Sequence, residues 1–200
     1  MKTNIPKWLV VHHTGGTDQD FYADTSHHTF RIVNDWHRQN PYVWLGELSS
    51  LDCAIGYHYF IDKAGKLTQG RADTDEGAHC KGMNTSSIGI CLAGNFSRFK
   101  ENRLPTFEQI KTLKNLLIEL MRKHDIPLKR IVPHRFFNRK DCYGKNLPDD
   151  WAREVADKET LKYNGKQLKI KLLKKQINIL EKLIKLYVQI LALFSKGRSD

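Results

Sequence analysis

His12, His134 and Cys142 have the residue types and the spacing that can hold a metal ion. His12 closes an apolar run, Trp8-Leu9-Val10-Val11, and His134 follows Arg130-Ile131-Val132-Pro133, with Cys142 eight residues further on. Zinc accepts neutral imidazole nitrogen and thiolate sulfur, and a catalytic zinc uses three protein ligands and leaves a fourth position to water. A distant histidine plus a local His…Cys pair meets that count. No HExxH or CxxC signature accompanies it, so spacing alone leaves the set level with three unrelated loop residues. His13 adjoins His12, but successive strand residues point to opposite faces, so the two cannot serve one site in the same way.

The elements that must position these residues are legible in outline. Trp8–Val11 reads as a strand buried on both faces, ending at His12-His13 and leaving through Gly15-Gly16. Residues 28–39 carry Phe30, Ile32, Val33 and Trp36 at helical spacing, up to His37. A loop with Pro41 and Gly46 leads to a second strand, Ile55–Ile61. Ala64-Gly65 then turns into Lys66-Leu67-Thr68 and completes a hairpin. Ser87–Ala93 reads as a third buried strand. Pro105-Thr106 opens a helix in which Thr106 caps and Gln109 closes a capping box, with Phe107, Ile110, Leu113, Leu117, Leu120 and Met121 as its apolar face. Strands interleaved with helices predict an α/β domain.

Composition bounds the function. With 200 residues, 40% apolar and 28% charged, the chain can build a core, and no apolar run approaches the ~20 residues of a spanning helix. The N-terminus has no apolar signal segment, which predicts synthesis in the cytoplasm without a leader. The four cysteines form no CxxC pair, and reduced thiols or a metal ligand are expected rather than a disulfide framework. The net charge of +11 is uneven. Residues 158–200 hold 11 Lys+Arg against 3 Asp+Glu, a net of +8, which leaves +3 for residues 1–157. This places a domain over 1–157 and a linker and basic amphipathic helix over 158–200. Leu173, Ile177, Leu180, Ile184, Tyr187, Leu191 and Phe194 form one stripe within 167–196, with lysines opposite. Such a helix can self-associate, pack on its own domain, or meet an anionic membrane or wall polymer. Nucleic acid is the least favoured partner, because the lysines accompany an apolar stripe and not stacking aromatics.

The ordered set Val10-Val11-His12-His13-Thr14, Ile55-Gly56-Tyr57-His58, Gly77 to Asn84, Ser87-Ile88-Gly89-Ile90 and Pro133-His134 to Lys140-Asp141-Cys142 resembles the type-2 N-acetylmuramoyl-L-alanine amidases. This zinc superfamily includes small phage lysozyme-amidases and peptidoglycan-recognition proteins. The resemblance covers nearly all of residues 7–150. It implies an α/β fold with a central mixed β-sheet flanked by helices, and one Zn2+ per chain on His12, His134 and Cys142. It implies Tyr57 and Lys140 as catalytic residues, and His79, Asn84 and Arg71 as substrate contacts in a groove. His13 and His58 are expected to pack, and Cys80 and Cys91 to be small buried residues. The implied reaction is hydrolysis of the amide between N-acetylmuramic acid and L-alanine in peptidoglycan, in a phage or prophage endolysin reaching the wall through a separate membrane lesion. The alternatives are a cytoplasmic wall-recycling amidase and a peptidoglycan-binding module without catalysis. Members that only bind typically lack the cysteine ligand, and Cys142 is present. Two departures bear on the groove: Tyr143-Gly144 stands where Pro-Gly or Pro-Ser is usual, and Asn40–Asp52 is longer than in minimal members.

Overall fold

The computed structural model describes residues 2–17, 20–40, 47–97, 103–137 and 141–157. The expected linker and amphipathic helix over 158–200, and Lys140, lie outside the described residues. Five strands, β1 (Trp8–His13), β2 (Tyr59–Ile61), β3 (Leu67–Gln69), β4 (Ser87–Leu92) and β5 (Ile131–Pro133), make one sheet in the order β3-β2-β4-β1-β5. All neighbours are parallel except the β2–β3 hairpin, so the sheet is mixed. The helices are α1 (Phe30–Gln39), α2 (Phe107–His124) and α3 (Trp151–Ala156). The central mixed sheet flanked by helices is the expected fold.

Strand alternation sorts side chains into two layers. Leu9 and Val11 of β1 join Ile88, Ile90 and Leu92 of β4 under Leu113, Leu116, Leu117 and Leu120 of α2 and Ala152 and Val155 of α3. The opposite face packs Phe60 and Cys91 against Val33 of α1, with Ile55 and Ala93. Parallel pairing sets Val10 beside Gly89 and His12 beside Cys91. His12 therefore emerges at the carboxyl end of a central strand, where open parallel sheets form their crevices.

α2 starts as its sequence predicts. The Thr106 hydroxyl accepts from the Gln109 N–H and the Gln109 side chain accepts from the Thr106 N–H, an arrangement whose cap contributes ~1 kcal/mol. Its apolar face differs in two places: Phe107 is exposed while Gln109 is buried and donates to the carbonyl of Ala93, and Leu116 is buried as well. The second strand is also shorter than Ile55–Ile61. The N–H groups of Ala54 and Ile55 donate to Asn34 Oδ1, and that of Gly56 donates to His37 Nδ1, all on α1. With those donors turned to a helix, ladder pairing begins only at Tyr59. β5 and α3 were not expected. The first has three residues ending in proline, and the second has six residues and no side-chain N-cap.

Candidate metal centre

Strand β1 delivers His12 to the rim of the sheet, and the turn after β5 delivers His134. The segment 141–147 returns Cys142 to the same point. One donor atom from each of the three lies within 4.8 Å of the others. His12 Nδ1 is 3.6 Å from Cys142 Sγ. Zinc bonds of ~2.3 Å to sulfur and ~2.0–2.1 Å to nitrogen, at a tetrahedral angle, would separate those two atoms by about 3.5 Å. The donor set and its spacing therefore fit zinc. Burial, reinforced by the neighbouring rings of His134, His79, His13 and His37, holds His12 well below its ordinary pKa. It is accordingly neutral, the form that binds metal.

His13 points to the other layer. Its Nδ1 accepts the Phe96 N–H at 3.0 Å and its ring packs on Phe96. Cys80 and Cys91 are buried, and all four cysteines are thiols. The half-buried Tyr57 lies with its ring centroid 5.0 Å from that of His12 and 5.3 Å from that of His37. Burial, with the thiols of Cys91 and Cys142 nearby, pushes its phenol well above the ordinary value, so at neutral pH it is a hydrogen-bond donor. Tyr57 also lines a cleft of ≈ 320 Å³ between α1 and the exit of β1, together with Thr14, His28, Ile32 and Trp36.

Arg135 fastens the segment that carries Cys142. Its N–H donates to the Cys142 carbonyl at 2.7 Å, and its guanidinium donates to the carbonyls of Gly144 (2.9 Å) and Leu147 (2.7 Å) and to Asp149. The guanidinium also lies over the ring of Tyr143, which is fully buried, and the Tyr143 hydroxyl donates to the carbonyls of Pro148 and Asp149. Gly144 has φ +92°, and a Cβ there would come within 2.3 Å of the Phe96 carbonyl carbon. Only glycine lets this loop settle against Phe96.

The structure thus gathers His12, His134, Cys142 and Tyr57. It does not place Arg71 in a groove. Arg71 is fully buried, and its guanidinium donates to the carbonyls of Ile55 (2.6 Å) and Glu76 (2.8 Å), which ties the 71–76 loop to the approach to β2. The Asn84 carbonyl oxygen accepts the N–H groups of His79 and Cys80 at 3.1 and 2.9 Å, so it shapes a turn. His79 is 8% exposed and faces His12, with its Nδ1 3.1 Å from His12 Nε2. Of the three expected groove residues only Arg71 is thus withdrawn from a groove, because its neighbours enclose it completely; for Asn84 and His79 the structure shows protein partners. His37 and Arg135 were missed. His37 stands four residues after Val33 on the buried face of α1, a signal that the sequence carries.

The fold and the donor set define a mixed-sheet α/β domain with a candidate metal centre at the carboxyl ends of its strands, and the chain belongs to the N-acetylmuramoyl-L-alanine amidase family (Amidase_2), whose model matches residues 2–145. It is 30% identical over 126 residues to an endolysin of Escherichia phage T7, covering 62% of this chain and 74% of that protein. It is also 30% identical over 148 residues to peptidoglycan-recognition protein SD of Drosophila melanogaster, covering 74% of this chain and 72% of that protein. The solved structure of N-acetylmuramoyl-L-alanine amidase LysC from Clostridium intestinale superposes with a TM-score of 0.56 at 27% identity, over 72% of this chain and 80% of that one.

Proposed function

We propose that this chain hydrolyses the amide between the muramic-acid lactyl group and L-alanine of peptidoglycan, at a mononuclear zinc centre held by His12, His134 and Cys142, and that it does so as a phage or prophage endolysin. The observation that carries this reading is the convergence of the three donor atoms within 4.8 Å in a chain of the amidase family. A zinc ion bound there supplies an acidified water, with its pKa lowered toward ~7, and a Lewis acid for the carbonyl. Tyr57, kept protonated by burial, donates a hydrogen bond to the oxygen on which negative charge develops. Lys140, two residues before Cys142 in sequence, is assigned by the family resemblance as the cation for the same oxygen. The cleft that Tyr57 lines is assigned to the substrate. The family resemblance of the T7 endolysin supports the endolysin role.

Digestion of purified peptidoglycan tests the reading directly. New L-alanine amino termini without new reducing sugars are expected, and a chelator should abolish them. Cys142→Ser should lose both bound zinc and turnover. Tyr57→Phe should keep zinc and lose roughly 10²–10³ in rate, the usual contribution of a donor to a developing oxyanion. Full turnover by the metal-free protein overturns the zinc mechanism. Binding to sacculi without new termini would instead give a peptidoglycan-binding module.

A further inference from the structure

We propose that His79 is a positioning residue for His12: it accepts the Nε2–H of His12 and so leaves His12 Nδ1, the nitrogen facing Cys142, as the bare lone pair that a metal requires. This rests on the zinc reading above. A neutral imidazole has one donor and one acceptor nitrogen, and the partner of one decides the role of the other. His12 Nε2 and His79 Nδ1 are 3.1 Å apart, so one of them carries the hydrogen. The far side of His79 decides which. Its Nε2 is 3.5 Å from Ser87 Oγ, and the Ser87 hydroxyl already donates to the Met83 carbonyl at 2.7 Å. Ser87 can therefore offer His79 only a lone pair. His79 is then protonated at Nε2 and bare at Nδ1, and His12 must donate from Nε2. The relay runs in one direction, from His12 through His79 and Ser87 to a backbone carbonyl.

The fold builds a seat for this ring. A Cβ on Gly89 would lie 2.5 Å from His79 Cγ, and one on Gly77 would lie 2.5 Å from His79 Cδ2. Neither glycine has a φ in the left-handed region, so what these positions require is space and not backbone freedom. Gly89 belongs to β4 and sits beside Val10 of β1, two residues before His12. The slot that admits His79 thus lies on the strand paired with the ligand's own. Asn84 holds the backbone of His79 from the other side. At 8% exposure, the ring has little surface left for a substrate. Groups that orient a ligand histidine typically contribute 10–100-fold to metal affinity.

The test compares zinc affinity, by chelator competition on the full chain, for wild type, His79→Leu and His79→Gln, with sacculus binding measured at saturating zinc. His79→Leu should weaken zinc binding 10–100-fold. His79→Gln, whose amide oxygen can accept the same hydrogen, should recover most of the loss, and sacculus binding should stay within about twofold for both. Unchanged zinc affinity with weakened sacculus binding would overturn the proposal and make His79 a substrate contact. Imidazole 15N NMR of the metal-free wild type needs no variant. It should show His12 protonated at Nε2, and the opposite tautomer also overturns the proposal. If wild type binds no zinc, the metal reading fails on its own, and the tautomer still decides whether His79 sets His12.

Discussion

His37 and His58 each accept a backbone N–H at Nδ1, from Gly56 at 2.8 Å and from Gly89 at 3.1 Å. A second proton on either ring would face a donor with a donor. Burial lowers both to about 4 from the ordinary 6.5. The unfolded chain therefore binds these protons first, and stability falls as pH drops from 6.5 toward 4, then levels for these two groups. Each contributes a slope of at most about 1.4 kcal/mol per pH unit. Asp73, held low by Lys123, Tyr59 and His124 despite its burial, adds its own loss only at still lower pH. Urea unfolding between pH 4 and 7 should show a dependence to which these two rings add up to two protons, beyond those of His12, His13 and His79, which burial also lowers, and His37→Gln should remove one proton from the total. A pH-independent midpoint over this range would mean that the rings are not held as neutral acceptors. At this scale the sequence is legible by type and mute about partners. His12, His134 and Cys142 stand out as ligand types, yet whether His79 touches substrate or His12 depends on a contact across 67 residues.

Elements were legible where a local rule suffices. β1 and β4 follow from unbroken apolar runs, and α2 follows from its capping box. The truncation of the second strand was not legible, because Asn34 and His37 take its donors from across the structure. The segment 141–147 depends in the same way on Arg135, whose role no local pattern announces. The guanidinium has 19% of its side chain exposed and its ion-pair partner Asp149 has 72%, so the pair itself contributes ~0–1 kcal/mol. The bonds to the Gly144 and Leu147 carbonyls do the holding. Arg135→Lys retains the charge but cannot reach two carbonyls with one planar fork. It should lower zinc affinity about tenfold with unchanged far-UV circular dichroism, while Asp149→Asn should change it less than twofold. Equal effects from the two variants would assign the work to the ion pair.

At the scale of the whole molecule, residues 1–157 form one compact unit that ends just past α3, where we propose the domain boundary. Ala152, Val155 and Ala156 are buried against α2 and β5, and the family match ends at residue 145. Among the described residues, every strand of the sheet and every helix packed on it lies before the basic segment. Residues 158–200 carry a net +8 and a wide apolar stripe, a pairing of features that suits an anionic surface. Each lysine near such a surface contributes ~1 kcal/mol, screened beyond a Debye length of ~8 Å at physiological salt. A chain ending at Tyr163 is expected to stay folded and to cleave soluble peptidoglycan fragments at the full-length rate. On anionic vesicles or whole cells it should bind at least tenfold more weakly, and full-length binding should fall as salt rises from 50 to 500 mM, concentrations spanning about 14 to 4 Å in Debye length. A full-length protein that is oligomeric regardless of salt, with no vesicle affinity, and that becomes monomeric on truncation would make the segment an assembly device. Loss of the amidase fold on truncation would make the stripe part of its core, since a surface-targeting helix is one the domain can do without.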